Sequence, residues 1–192
     1  PVTVNSITLV DGTNGGLASN YSIATGQTTT ADVTAKALTV SGITASNKTY
    51  DGNTTATLNT AGVTYNGLVS GDTLTGTYSG VFSAGKDVGA NKTVTITSVY
   101  DGADLNNYTI TDQTSTTADI TAKSLTATAS AANKEYDASS AATTTLTLSG
   151  FIGTETVTST NSSTFNNKNV GSNKPVTVNS ITLVDGTNGG LA

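Results

Sequence analysis

The chain has 192 residues, a formal net charge of −5, and no cysteine, histidine, methionine or tryptophan. Nucleic acids and anionic lipids are bound mainly through Lys and Arg, so the acidic balance argues against both, and no run approaches the roughly 18 apolar residues of a membrane span. Without histidine or cysteine there is no ordinary pair of nucleophile and base, so we predict that the chain is not an enzyme.

Apolar residues alternate with Thr along several short stretches, and Ser and Thr make up about a third of the chain. In chain order, the stretches are centred on Val2 and Val4, Leu38 and Val40, Val94 and Ile96, and Leu146 and Leu148. A period of two places the apolar side chains on one face of a strand and Thr on the other. Turn residues such as Asp51-Gly52-Asn53 and Asp101-Gly102 separate these stretches. We therefore predict an all-β protein.

Internal repeats set the organisation of the chain. The first eighteen residues, PVTVNSITLVDGTNGGLA, recur unchanged at residues 175–192, 174 positions later. ADVTAKALT, from Ala31, resembles ADITAKSLT, from Ala118, 87 positions later. A fixed period indicates repeated structural units. We predict a leading segment (residues 1–35) that is the C-terminal half of a second-type repeat, a complete module (36–122), and a second-type module (123–192) that holds the N-terminal part of its repeat.

Each repeat has about the length of a small β-domain. We predict tandem antiparallel β-sandwich modules of the immunoglobulin-like kind, with about six to eight strands each, in an elongated array. A β-grasp-like module with one short helix near residues 68–70 is the alternative. The complete module runs into Lys123 without Gly or Pro, so we expect little flexibility between modules.

The second-type module lacks two strands within residues 123–192. By alignment these strands correspond to Tyr21-Ser22-Ile23 and Ala31-Asp32-Val33 of the leading segment. An open apolar edge is unstable alone and templates pairing with another chain. We therefore expect the partners to be neighbouring repeats of the same protein, or copies placed end to end in a fibre.

Four motifs carry a family resemblance. They are Lys48-Thr49-Tyr50-Asp51-Gly52, Gly67-Leu68-Val69-Ser70-Gly71-Asp72, Asp87-Val88-Gly89 and Asn107-Tyr108-Thr109-Ile110. Together they resemble the YDG-type repeats, related to MBG repeats, of large bacterial filamentous-haemagglutinin-like surface adhesins and matrix fibres. The second-type module keeps Tyr136 and Asp137, but Ala138 replaces the motif glycine.

The resemblance implies a structural stalk or fibre segment, secreted to the bacterial cell surface or the extracellular matrix, with no catalytic residue and no cofactor. Tyr50, Asp51, Gly52, Tyr136 and Asp137 are then structural landmarks, because a fold needs its corner in every copy. The alternative is an adhesin module that binds glycan or protein, with the tyrosines as a stacking site.

Calcium is the one cofactor that the sequence suggests. Asp101, Asp104 and Asn106 lie in one loop, and Asp11 with Asn14 matches it in the other module type. Their oxygen atoms are ligands of the kind that calcium takes, but the spacing is not that of an EF-hand and no bidentate Glu follows. Turn formation is the favoured interpretation of these residues, and calcium binding is the alternative.

Overall fold

The computed structural model describes residues 1–192 and confirms the all-β prediction. It contains seventeen strands and two three-residue 3₁₀ turns. None of its helical segments has the length and hydropathy that a membrane-spanning helix requires.

The leading segment contains two short strands, β1 (Val2–Thr3) and β2 (Thr28–Thr29), and a 3₁₀ turn at Ala18–Asn20. The strands are antiparallel, with Val2 opposite Thr29. Further hydrogen bonds, such as Val4 N to Gln27 O (3.0 Å), are also made within the segment.

Residues 36–122 form ten strands, and a second 3₁₀ turn, Leu105–Asn107, precedes β11. The strands are β3 (Lys36–Ser41), β4 (Thr44–Ala45), β5 (Lys48–Thr49), β6 (Thr55–Ala56), β7 (Leu58–Asn59), β8 (Thr64–Asn66), β9 (Thr75–Phe82), β10 (Gly89–Asp101), β11 (Tyr108–Thr111) and β12 (Ser115–Thr121). They make a five-stranded sheet in the order β5-β12-β10-β9-β6, a three-stranded sheet in the order β11-β3-β8, and the pair β4-β7.

Residues 123–192 form five strands in two small sheets. The strands are β13 (Thr126–Ala131), β14 (Ala141–Ala142), β15 (Thr144–Ser149), β16 (Val157–Phe165) and β17 (Val176–Asp185). β13 pairs with β15, and β16 lies between β14 and β17.

The prediction of purely antiparallel sheets is wrong for two pairs of strands. β11 runs parallel to β3, with Tyr108 opposite Lys36, and β12 runs parallel to β5, with Ile120 opposite Lys48. Alternation of apolar and polar residues fixes which face a side chain occupies but not the direction of the neighbouring strand. The short helix of the β-grasp alternative is also absent, because a turn closed by Asp72 N and Val69 O (3.1 Å) occupies that region.

The chain divides into two compact units. The first comprises Pro1–Ser41, Val63–Thr77 and Val99–Asp112, and the second comprises Gly42–Gly62, Tyr78–Ser98 and Gln113–Ala192. The module boundaries at residues 35/36 and 122/123 remain a prediction.

Each unit buries an apolar face that the alternation predicted, but the prediction is wrong at the start of the chain, where Val2 and Val4 are 50% and 37% exposed. In the first, Leu38 and Val40 on β3 are 1% and 2% exposed, and β11 pairs with β3 in the same sheet. In the second, the core cluster consists of Ala56, Phe82, Val94, Ala118 and Ile120. None of the buried apolar side chains belongs to residues 123–192, where apolar residues such as Leu125 and Leu146 are only half-buried.

Candidate functional site

The Tyr-Asp-Gly landmark is a turn organised by a lysine. The Lys48 ammonium donates hydrogen bonds to Asp51 Oδ1 (2.7 Å), Asn53 O (2.8 Å) and Thr55 O (3.1 Å). The same Asp51 oxygen accepts the backbone N–H of Asn53 at 3.1 Å. The hydrogen bond from Lys48 holds the pKa of Asp51 below its ordinary value. Lys48 is thus the internal cation of the turn, a role that the sequence motif did not reveal.

The same turn forms in the second-type module despite the loss of the motif glycine. Lys134 Nζ donates to Asp137 Oδ1 at 2.8 Å and to Ser139 O at 2.9 Å. Ala138 adopts φ 62°, matching the left-handed conformation of Gly52 at φ 78°. A non-glycine residue in this region costs roughly 1–2 kcal/mol. The turn is therefore specified by the Lys and Asp pair strongly enough to hold Ala138 in it.

Tyr50, Lys86 and Glu155 form the most connected polar cluster. The Tyr50 hydroxyl donates to the Glu155 carboxylate, 2.7 Å from Oε1 and 2.9 Å from Oε2, and accepts from Lys86 Nζ at 2.8 Å. Lys86 also forms an ion pair with Glu155. The Glu155 side chain is only 14% exposed. We name these three residues the junction cluster, because Glu155 lies in the predicted second-type module and the other two lie in the predicted complete module.

The electrostatics of the junction cluster hold it in one charge state. The hydrogen bond to Lys86, and then that to Tyr50, lowers the pKa of Glu155, and the bond to Glu155 raises the pKa of Lys86. Burial is the main cause of the raised pKa of Tyr50. Glu155 is thus a weaker base than usual and Lys86 stays protonated, so the arrangement favours a fixed contact over proton transfer or nucleophilic attack.

Inside the complete module, Tyr108 forms a contact between a tyrosine hydroxyl and a carboxylate, like that between Tyr50 and Glu155. Its hydroxyl donates to Asp72 Oδ2 at 2.5 Å and accepts from the backbone N–H of Val69 at 2.9 Å. The bond to Asp72, followed by burial, raises the pKa of Tyr108. In the repeat alignment, Glu155 occupies the position of Asp72. Each acid closes the same kind of turn, because Asp72 N donates to Val69 O at 3.1 Å and Glu155 N donates to Ile152 O at 3.0 Å.

The acidic residues considered for calcium are engaged as turn acceptors. Asp104 Oδ2 accepts Thr73 N at 3.0 Å, and Asp101 Oδ1 accepts Gly102 N at 2.8 Å. Asp11 Oδ1 accepts Ala18 N at 2.7 Å. Asn106 lies within the 3₁₀ turn, and Asn14 adopts φ 56°. No group of three or more His, Cys, Asp or Glu side chains comes together in the structure.

Two clefts open on the second-type module. The first has a volume of about 640 Å³, and its lining includes Tyr50, Leu125, Ile152, Glu155 and Val157. The second, of about 730 Å³, includes Asn133, Tyr136, Phe165, Asn173 and Val176. Tyr136, the counterpart of Tyr50, is 59% exposed.

Comparison with known families decides the identity of the repeats. A family model described as the YDG domain matches residues 34–117 and again residues 121–190. This chain belongs to the YDG domain family. The first YDG match covers most of the complete module and the second covers most of the second-type module. No curated protein and no solved structure matches the chain.

The junction cluster is therefore a contact between two successive YDG matches. Sequence reasoning identified Tyr50 as a landmark but did not connect it with Lys86 or Glu155. The one sequence signal for this contact was that Asp72 and Glu155 are acidic at the same position of the repeat. Alignment does not show that Asp72 bonds to Tyr108 whereas Glu155 bonds to Tyr50.

Proposed function

We propose that the chain is a structural segment of an array in which successive YDG domains abut with little freedom between them. The parent of such an array is a stalk or fibre of a secreted bacterial adhesin or extracellular matrix protein, and the modules are sandwich-like. The single observation that carries the proposal is the junction cluster, in which Glu155 accepts from Tyr50 and Lys86 across the boundary between two YDG matches.

The connection between the modules supports the same role. β12 ends at Thr121 and β13 begins at Thr126, so only residues 122–125 lie between them. This stretch, Ala-Lys-Ser-Leu, contains neither Gly nor Pro. A short connection and a partly buried ion pair both restrict motion, and flexible linkers are usually rich in Gly and Ser.

A distance measurement across the junction tests the proposal. The chain has no cysteine, so Thr95→Cys with Thr147→Cys, both at exposed positions, gives one pair of spin-label sites. We expect a narrow distribution of label distances that broadens when Glu155→Ala is added. Glu135→Ala, at the only other Glu, is the matched control and should leave the width unchanged. Equal widths with and without Glu155 would contradict the proposal.

A glycan-binding module is the competing proposal. Tyr136 favours it, because this aromatic residue is 59% exposed and lines the second cleft beside Lys134. Aromatic rings with neighbouring polar groups suit ligands that are apolar on one face and polar at the edge. The test is a glycan array probed with the chain and with Tyr136→Ala. We expect no binding by either, and binding that depends on Tyr136 would favour this alternative.

A further inference from the structure

We propose that Gly52 and Ile152 determine which type of module follows the complete module. The Tyr-Asp-Gly turn of the complete module accepts the turn at residues 150–155 of a second-type module. The equivalent turn of a second-type module, with Ala138 in place of the glycine, excludes it. The inference rests on the proposed array, and it names the residues that specify the order of the two module types in that array.

The conformation of the turn does not by itself require glycine. Gly52 has φ 78°, and Ala138, its counterpart, adopts φ 62°. Each turn is closed by the same hydrogen bond from lysine to aspartate, 2.7 Å long in the complete module and 2.8 Å in the second-type module. This chain therefore already holds an alanine in the left-handed conformation at this position of the turn. The glycine of the complete module needs a second reason.

The second reason is the contact between Gly52 and Ile152. A Cβ atom at Gly52 would lie 2.8 Å from Ile152 Cγ2 and 3.9 Å from Ile152 Cβ. Carbon atoms in favourable contact are about 3.5–4.0 Å apart, so an alanine here would overlap the Cγ2 methyl. That methyl branches directly from Cβ, and a β-branched side chain has little freedom at χ1 to move it aside. The absence of a Cβ at residue 52 thus leaves the space that Ile152 occupies.

Displacement of Ile152 would also displace the acid of the junction cluster. Ile152 O accepts Glu155 N at 3.0 Å, so one turn holds both residues. Gly52 follows Tyr50 by two residues in the opposing turn. The Tyr50 hydroxyl lies 2.7 and 2.9 Å from the two Glu155 oxygens, and O–H···O bonds form over only about 2.5–3.0 Å. An overlap at residue 52 would therefore separate Glu155 from Tyr50 and Lys86.

The polar partners do not distinguish the two module types. Tyr136 occupies the position of Tyr50 in the repeat. Lys168 likewise occupies the position of Lys86. A second-type module therefore carries the same hydroxyl and ammonium groups, and charge alone would not prevent it from binding a carboxylate. Specificity often comes from an unfavourable contact with the wrong partner. The Cβ of Ala138 supplies that contact, because the glycine of the complete module leaves this space open.

An NMR titration of the full chain tests the inference. The Glu155 carboxyl reports on the contact between the modules, and the Asp51 carboxyl reports on the turn itself. Both have a lowered pKa in the native chain, because Lys86 bonds to Glu155 and Lys48 bonds to Asp51. We expect Gly52→Ala to raise the pKa of Glu155 toward the ordinary Glu value of about 4.3 and to leave the pKa of Asp51 lowered.

Ala138→Gly is the matched control, since it makes the reverse exchange in the same turn of the other module. It should leave the pKa of Glu155 unchanged. Addition of Ile152→Leu to Gly52→Ala removes the Cγ2 methyl and should restore the lowered pKa of Glu155. Glu135 is the only other Glu, so a label on the Glu carboxyl carbons gives just two signals.

The spin-label pair at residues 95 and 147 gives a second readout. Gly52→Ala should broaden the distribution of label distances across the junction, because the contact that fixes it is lost. Ala138→Gly should leave the width unchanged. Equal widths in the native chain and in Gly52→Ala would contradict the inference.

The titration can overturn the inference in three ways. The pKa of Glu155 would stay lowered in Gly52→Ala if the contact at residue 52 did not matter. The pKa of Asp51 would lose its lowered value in that variant if the turn itself required glycine. Ile152→Leu would fail to restore Glu155 if another contact set the order. In each case Glu155→Ala would still broaden the label distances, and that effect tests the array itself.

Discussion

The Tyr50 hydroxyl lies 2.7 Å from Oε1 of Glu155, a residue 105 positions later in the chain. Tyr50 belongs to the motif that names the family, and its ring packs against the core cluster around Phe82. One face of the landmark tyrosine therefore supports its own module, while its hydroxyl contacts the next one. This double use gives Tyr50 a role in the contact with the second YDG match as well as in the fold.

Acidification should weaken the junction. The pKa of Glu155 is lowered by Lys86 in the folded state, so its stabilising effect is present above the ordinary Glu pKa of about 4.3 and is lost as the pH falls through the folded value. We expect the melting temperatures of the native chain and Glu155→Gln to differ at pH 7 and to converge below about pH 4. A difference that persists at pH 2 would contradict this prediction. Asp51, also paired with a lysine, contributes equally to the acid response of both proteins.

Substitution of Gly52 should cost more than substitution of Gly85. Both have positive φ, 78° and 87°, so Ala at either position carries backbone strain of roughly 1–2 kcal/mol. An added Cβ at Gly52 would lie 2.8 Å from Ile152 Cγ2, whereas at Gly85 it meets nothing within 4 Å. Urea denaturation should therefore show a larger loss for Gly52→Ala. Ile152→Leu, which removes the Cγ2 methyl, should bring the two losses together, and equal losses in the native background would contradict the contact.

Truncation of equivalent leucines should distinguish the two modules. Leu38 is 1% exposed on β3, the central strand of its sheet, so Leu38→Ala should lower the free energy of unfolding by about 2–5 kcal/mol. Leu125, its counterpart, is half-buried at the edge of the first cleft, so Leu125→Ala should cost less than about 2 kcal/mol. Equal costs in chemical denaturation would show that the second-type module buries its first strand as fully as the complete module does.

The sequence predicted the strands and their buried faces better than it predicted which strands and which residues contact one another. Alternation placed Leu38, Val40, Val94 and Ile96 on the buried face, and all four are buried. It did not predict the parallel pairing of β11 with β3, because the period of two carries no information on strand direction. It also missed the Glu155 contact, since a hydrogen bond between residues in different repeats leaves no local pattern in either one.

Chelation should leave the stability of the chain unchanged. Asp11, Asp101 and Asp104 each accept a backbone N–H, and these bonds hold their loops without an ion. A metal bound only to the folded state would raise the melting temperature by mass action. We expect equal melting temperatures in 1 mM calcium and in excess EDTA, with about equal ionic strength in both. A lower melting temperature in EDTA than in calcium would contradict this prediction and would restore the calcium interpretation.

The central claim is that Glu155 joins two successive YDG domains through Lys86 and Tyr50. A double-mutant cycle on Lys86→Ala and Glu155→Ala, followed by urea denaturation at neutral pH, measures this coupling most directly. We predict that the double variant loses less stability than the sum of the two single losses, because either substitution alone already breaks the ion pair. Strictly additive losses would mean that the two side chains act independently, and would contradict the junction cluster as the link between the domains.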